Sequence, residues 1–309
     1  MATYLVTGGA GFIGSHIATE LVKRGENVRV FDNLSTGRTS NLDHIRDHVA
    51  FIEGDLRDAE AVNSAVHGVD YILHQGALPS VPRSINDPIG SNACNVDGTV
   101  NILVAAKEFG VKRVVVASSS SVYGNTPTLP KIETMRQSPL SPYAVSKLAT
   151  EQYAVAFWHS FGLETVSLRY FNVFGPRQDP KSEYAAVIPK FLSLMLRGES
   201  PTIYGDGEQS RDFTYVENVV SANLLSCTAP DVGGEIFNCA CNEQISLNQL
   251  VEMLNESLGT NIKPTYAEAR PGDVKHSRAD ISKAEKMLGY KVSVPFSEGL
   301  DRLISETRK

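Results

Sequence analysis

The sequence predicts an α/β protein, a doubly wound parallel sheet with a smaller α+β lobe toward the carboxyl end. Three observations carry this. Short apolar runs alternate with amphipathic helical stretches up to residue 170, the first run opens directly into a glycine-rich turn, and beyond Asn172 longer loops with scattered prolines take over.

The expected buried strands are Tyr4–Thr7, Val28–Phe31, Val49–Ile52, Tyr71–Leu73, Val114–Ala117 and Thr165–Leu168. Between them Phe12–Arg24, Ala59–Val66, Asn95–Phe109 and Tyr143–Phe161 have the 3–4 spacing of helices, and Gly25, Gly68, Gly110 and Gly162 stand where helices end. After Asn172 come Pro176, Pro180, Pro189 and Pro201, short strands near Thr202–Tyr204 and Glu208–Thr214, and helices near Ser246–Leu258 and Ile281–Leu288. We expect residues 1–172 to form the sheet domain and residues 173–309 mainly the second lobe, with a return to the sheet domain near 216–240. No repeat and no Gly/Ser or Pro linker divides the two, so the chain is expected to cross between them more than once.

Composition narrows the function. In 309 residues, 42% hydrophobic and 21% charged, there is enough apolar material for a real core. The net charge of −6 leaves no basic excess to follow a nucleic-acid backbone, although two or three placed cations would still suffice for a small phosphorylated ligand. With no signal-peptide pattern and no run of 18 apolar residues, no membrane partner and a cytoplasmic location are expected. Cys94, Cys227, Cys239 and Cys241 lack the partners of a metal site and are taken as core residues, with no metal.

Thr7-Gly8-Gly9-Ala10-Gly11-Phe12-Ile13-Gly14 follows the first strand and opens the first helix. Gly8 suits the tight turn, Gly11 lets the backbone approach a pyrophosphate, Gly14 lets the helix sit close to the sheet, and the helix N-terminus offers N–H donors to an anion. Asp32 ends the second strand, where a carboxylate binds both hydroxyls of an adenosine ribose and repels a 2′-phosphate, so NAD is expected over NADP. Asp55-Leu56, after the third strand, is placed to meet the adenine edge.

Tyr143 and Lys147, four residues apart, share one helix face. A tyrosine is too weak an acid to serve unaided at neutral pH, and a nearby ammonium together with the positive nicotinamide is expected to lower its pKa and make it a usable base. Ser118-Ser119-Ser120-Ser121 stands at the carboxyl end of the fifth strand, the side on which open α/β sheets place their sites.

Together with Asn95-Val96-Asp97-Gly98-Thr99, Ser118–Gly124, Arg169-Tyr170-Phe171-Asn172, Arg211-Asp212-Phe213 and Arg270-Pro271-Gly272-Asp273, these motifs make the chain resemble, over essentially its whole length, the extended short-chain dehydrogenase/reductases that act on nucleotide sugars. The resemblance implies a Rossmann-type sheet holding NAD, with contacts from Phe12, Ile13, Asn33, Gly37, Leu56, Gln75, Ala77, Asn95 and Tyr170 besides those above. It implies Tyr143 and Lys147 as catalytic residues, with Ser119 on the sugar O4 and Ser120 as the alternative. Where dehydratases of this family resemble Thr-Asp-Glu, this chain has Ser119-Ser120-Ser121, and it lacks the Cys/His pair of 3,5-epimerases. What remains is the set of a 4-epimerase.

The resemblance also implies a UDP-sugar substrate. Asn172, Arg211 and Arg270 match positions on the diphosphate, Asp273 one on the nucleotide ribose, and Ser277 and Ala186 small residues beside the sugar 2-substituent, with Ser80, Val187 and Tyr204 completing the pocket. Ser277 and Ala186, with the stretch Leu78–Ser84, are similar to bacterial UDP-N-acetylglucosamine 4-epimerases, so UDP-GlcNAc/UDP-GalNAc interconversion is expected, with UDP-Glc/UDP-Gal also accepted. The alternatives are another nucleotide-sugar oxidoreductase or decarboxylase on the same scaffold, or a non-catalytic NAD-binding regulator. A homodimer pairing through the helices near Asn95 and Tyr143 is expected by resemblance.

Overall fold

A computed structural model gives the structure of the chain, and it describes residues 1–179, 186–269 and 275–308. The six expected strands form as β1 (Thr3–Thr7), β2 (Asn27–Asp32), β3 (Val49–Glu53), β4 (Tyr71–His74), β5 (Arg113–Ser119) and β6 (Thr165–Tyr170). With Glu235–Cys239 they make a seven-stranded sheet of order 3-2-1-4-5-6 followed by Glu235–Cys239, parallel throughout. The order reverses between β1 and β4, and the carboxyl ends of those two strands open the crevice in which such sheets hold ligands.

The strands alternate between two cores, as their pleat demands. Val6, Val30, Val115 and Leu168 pack on one face with Ile17 and Leu21 of helix α1 (Phe12–Lys23). Leu5, Phe31, Val114 and Val116 pack on the other with Val62 of α2 (Ala59–Val66) and, further along the chain, Ile102 and Leu103. Two short helices follow β4, α3 (Val81–Asn86) and α4 (Pro88–Asn92); a wide turn over Ala93–Asp97 then leads into α5 (Gly98–Glu108), where one continuous helix from Asn95 is expected from the sequence.

The long helix α6 (Pro142–Phe161) begins where its sequence says it should. The Ser141 hydroxyl accepts from the Ala144 N–H, Pro142 fills the first helical position, and left-handed Gly162 ends it. An N-cap of this kind contributes about 1 kcal/mol.

Beyond β6 a third core forms around α7 (Val187–Leu196), α9 (Leu247–Leu258) and α11 (Phe296–Thr307), while α8 (Val216–Thr228) and α10 (Ser282–Leu288) contribute Val219, Val220, Ala284 and Leu288 to the first sheet core. Phe174, Phe213 and Phe296 meet ring to ring at centroid distances of 5.4–6.4 Å. The strand expected over Glu208–Thr214 is two short pieces, Ser210–Arg211 antiparallel to Ile245–Ser246 and Thr214–Tyr215 parallel to Val173–Phe174. Among the described residues no helix is long and apolar enough to cross a membrane.

Candidate active site

A cleft of about 960 Å³ runs over the carboxyl ends of β1, β4 and β5. One wall is the glycine turn. Gly14 sits so tightly that a Cβ there would lie 2.2 Å from the Gly8 carbonyl oxygen, and no side chain caps the α1 N-terminus. Gly8, Gly11, Phe12, Ile13 and Gly14 all line the cleft, so the first-turn N–H groups and the positive helix end are presented to whatever anion enters.

Asp32 lies at the end of this wall. Its two oxygens accept the N–H groups of Ala10 (3.0 Å) and Leu34 (2.8 Å), which fixes the carboxylate and leaves a lone pair on each oxygen. Burial raises its pKa, and the two backbone donors pull it back. Gly37 covers it: a Cβ at that position would stand 2.8 and 2.9 Å from the carboxylate oxygens. Asn33, Leu56, Gln75 and Ala77 also line the cleft. The Tyr170 hydroxyl donates to Gln75 Oε1 (2.9 Å) and accepts from Asn223 (2.8 Å), whose Oδ1 receives the Gln75 amide at 3.0 Å. Asn223 on α8, absent from the sequence reading, thus closes a polar ring under the cleft floor.

Two expected cofactor residues stand behind the wall. Asp55 accepts from Asn33 (2.8 Å) and Arg57, and the Arg57 guanidinium holds its carboxyl well below the usual range. Buried Asn95 spends its amide on Leu78 N and O and on the Ser146 hydroxyl, tying the 75–80 loop to α6.

Tyr143 and Lys147 project from α6 into the same cleft. The Lys147 ammonium is buried and donates to the Ala117 carbonyl of β5 at 2.9 Å. Burial draws it down to about 8, against upward pulls from Cys94 and Glu151. Burial pushes the Tyr143 phenol up, with neighbouring Ser119 as the lesser, opposing influence. The Ser119 hydroxyl accepts from Ser121 N (3.2 Å) and Ser121 Oγ (2.9 Å), neither of which uses its own proton. Ser120 starts the short turn Ser120–Tyr123, and the cleft lining takes in Ser118 but neither Ser119 nor Ser120.

The sugar-side residues are partly gathered. Ser80 lines the cleft at φ +97°, a costly conformation for a non-glycine residue, and caps α3. Ala186 lines it too, and also borders a hollow of about 60 Å³ shared with Asn172, Phe174, Ile188 and Phe213. Val187 opens α7 beside it. Asn172 donates to the Asp212 carbonyl at 3.0 Å. Arg211 donates to the carbonyls of Ser210 and Lys275 at 2.9 and 3.2 Å, and Tyr204 ends the strand Thr202–Tyr204. Ser277 is buried, with its N–H on the Ser210 carbonyl at 3.1 Å, behind the cleft wall. Arg270 and Asp273 lie outside the described residues. The cleft also has lining residues that the sequence reading missed, Arg38, Arg83, Cys94, Arg177 and Gln178, which no local pattern marks. The four cysteines are free and buried.

The uncapped helix end, the glycine that admits it and a ribose-reading carboxylate fit a dinucleotide. Comparisons agree. Residues 4–240 match the profile of the NAD dependent epimerase/dehydratase family. The UDP-glucose 4-epimerase of Mycolicibacterium smegmatis is 36% identical over 97% of this chain and 96% of its own length. The solved UDP-N-acetylglucosamine 4-epimerase of Methanobrevibacter ruminantium, in complex with UDP-N-acetylmuramic acid, is 43% identical and superposes with a TM-score of 0.95 over 99% of this chain and 98% of the other. The Thermus thermophilus UDP-glucose 4-epimerase, solved with NAD, is 36% identical with a TM-score of 0.90 over 99% of both chains. The chain therefore belongs to the NAD-dependent epimerase/dehydratase family, with NAD as its cofactor, and is an enzyme of the UDP-sugar epimerase type.

Proposed function

We propose that the protein catalyses reversible 4-epimerisation of a UDP-sugar, interconverting UDP-GlcNAc and UDP-GalNAc and also UDP-Glc and UDP-Gal. The observation that carries the reading is that Tyr143 and Lys147 both line the cleft bounded by the glycine turn, with Lys147 anchored on the Ala117 carbonyl at the end of β5, the strand that ends in Ser119.

In this reading Tyr143 takes the proton of the sugar 4-hydroxyl and later returns it, and Ser119 holds O4 through the exchange. NAD, when bound, supplies reversible hydride transfer at C4, and the first-turn N–H groups of α1 and the Asp32 carboxylate would hold it. Lys147 places a charge beside the phenol, which helps only once the site is filled and water is excluded. The 4-keto sugar turns within the pocket so that C4 is rehydrogenated on its other face. Asn172, Arg211, Arg270 and Asp273 are proposed to grip the nucleotide, and small Ala186 and Ser277 to leave room for a 2-acetamido group. The exposed apolar residues Val104 of α5 and Val145 and Tyr153 of α6 support a homodimer paired through those helices.

The test is incubation of the purified protein, with no added reductant, with UDP-GlcNAc and separately with UDP-glucose, the 4-epimers being resolved by NMR. UDP-GalNAc and UDP-galactose are both expected. UDP-galactose alone would overturn the roomy pocket, and NADH accumulating in proportion to substrate would replace epimerisation by a net oxidation.

A further inference from the structure

Glu151 lies two turns beyond Tyr143 and one beyond Lys147 on the same face of α6, and it is fully buried. Its carboxylate accepts from Arg169 Nε and Nη2, each at 2.8 Å, and from the Ser118 hydroxyl. Arg169 is equally buried, and no other ion pair among the described residues has both side chains so completely enclosed. It sends a further N–H to the Glu133 carbonyl (3.2 Å) and lies 4.7 Å from the centroid of the Tyr123 ring.

Such a pair is a poor stability device. Desolvating two charges costs several kcal/mol per ion, and apolar replacements of similar volume are often as stable. Its position suggests another use. Two side chains of α6 reach consecutive residues of β5, Lys147 the Ala117 carbonyl and Glu151 the Ser118 hydroxyl, and Tyr143 stands one turn before Lys147 on the same helix face. Arg169 of β6 is the registered neighbour of Ser118, and Tyr170 that of Ser119. Arg169 therefore fixes Glu151 from the next strand, and Glu151 fixes the end of β5 against the helix that carries the phenol.

We propose that Glu151, backed by Arg169, is a positioning residue for the reaction: it sets the register of α6 on the end of β5, and thereby the placing of Tyr143 against Ser119, and holds a carboxylate one helical turn from buried Lys147. The proposal rests on the roles given above to Tyr143, Ser119 and Lys147. The charged or titratable groups around Lys147 are His74 from β4, Cys94 from the turn before α5, and Tyr143 and Glu151 from α6. Around Glu151 they are Arg169, with Tyr123 stacked on it, and Lys147.

The experiment compares wild type with Ser118→Ala and with the double variant Glu151→Met/Arg169→Met, which removes both charges without stranding either. It measures Tm, bound NAD, and the rate at which added UDP-sugar reduces bound NAD across pH, followed by near-ultraviolet absorbance. This single-turnover step depends on Tyr143 whether or not the sugar is released as an epimer. The double variant should keep its Tm and NAD, lose about a hundredfold in rate with little change in half-saturation, and show its alkaline limb about one pH unit lower. Ser118→Ala should lose about tenfold with the limb unmoved. Wild-type rate and pH profile in a folded double variant would reduce the pair to a structural role. Should the double variant not fold, a wild-type rate in Ser118→Ala would overturn the proposal. Normal reduction in the wild type without epimer formation would instead count against the proposed function alone.

Discussion

The Thr7 hydroxyl and His74 Nδ1 lie 2.7 Å apart across the β1–β4 pair, at the point where the sheet order reverses. The other ring nitrogen of His74 faces Thr99 Oγ1 at 3.0 Å, and Thr99 donates its own proton to the Asn95 carbonyl at 2.5 Å. Thr99 can then only accept from the ring, so the proton belongs on Nε2 and Thr7 donates to Nδ1. His74 is neutral here, and burial, with Lys147 as the lesser cause, lowers its pKa to about 3.

The sign of the pH effect follows. Between about 6.5 and 3 the unfolded chain binds a proton at His74 that the folded chain does not, so this residue's stabilising contribution is present above 6.5 and is lost as pH falls toward 3. Asp212, raised to about 7 by burial, acts oppositely and is common to both proteins compared. Denaturant unfolding of His74→Asn should show a shallower loss between pH 6.5 and 4 than wild type, by a slope difference of up to about 1.4 kcal/mol per pH unit.

Tyr143→Phe should retain NAD and Tm while turnover falls by about three orders of magnitude. Tyr143 lines the cleft, so kcat should carry the effect and bound NAD should be unchanged, as measured by progress curves and by NAD released on heat denaturation.

Ser119→Ala and Ser120→Ala should separate cleanly. The first removes the hydroxyl proposed to hold O4 beside Tyr143 and should cost about 10²-fold in kcat. The second touches the residue that starts the turn after β5 and should leave kcat within about twofold. A reversal of the two would move the O4 partner to Ser120.

Gly37→Ala should displace the Asp32 carboxylate, because the added methyl would start 2.8 Å from its Oδ2. Loss of one charged hydrogen bond to the ribose, about 1.5–3 kcal/mol, predicts at least about tenfold weaker NAD retention, read by dialysis and fluorescence, with Tm of the NAD-free protein little altered.

The strands β1, β4, β5 and β6 were readable because each is an apolar run largely buried on both faces, and β2 and the exposed edge strand β3 because their apolar runs are as short and as clearly bounded. The sheet's last strand, Glu235–Cys239, was not, since Glu235 and Asn238 interrupt its apolar residues; only a return of the chain near 216–240 was anticipated. Helix α7 was hidden by Pro189, which sits harmlessly in its first turn. In the cleft, Gly14, Asp32, Tyr143 and Lys147 could be read because local spacing places them. Asn223 reaches Gln75 from 148 residues away and Glu151 looks like any helix-face carboxylate, so neither leaves a mark in a short window. Four serines in a row give no local mark that separates Ser119 from Ser120, since the end of β5 falls between them.

The ring cluster of Phe174, Phe213 and Phe296 has a bearing on biosynthesis. A chain emerging amino end first has every strand of the main sheet in hand by Cys239, yet Phe296, Leu300, Leu303 and Ile304 are still to be made. The glycine turn and Asp32 are thus made long before the residues that close the ring cluster, and α11 is the keystone whose arrival seals the apolar surface of the other lobe.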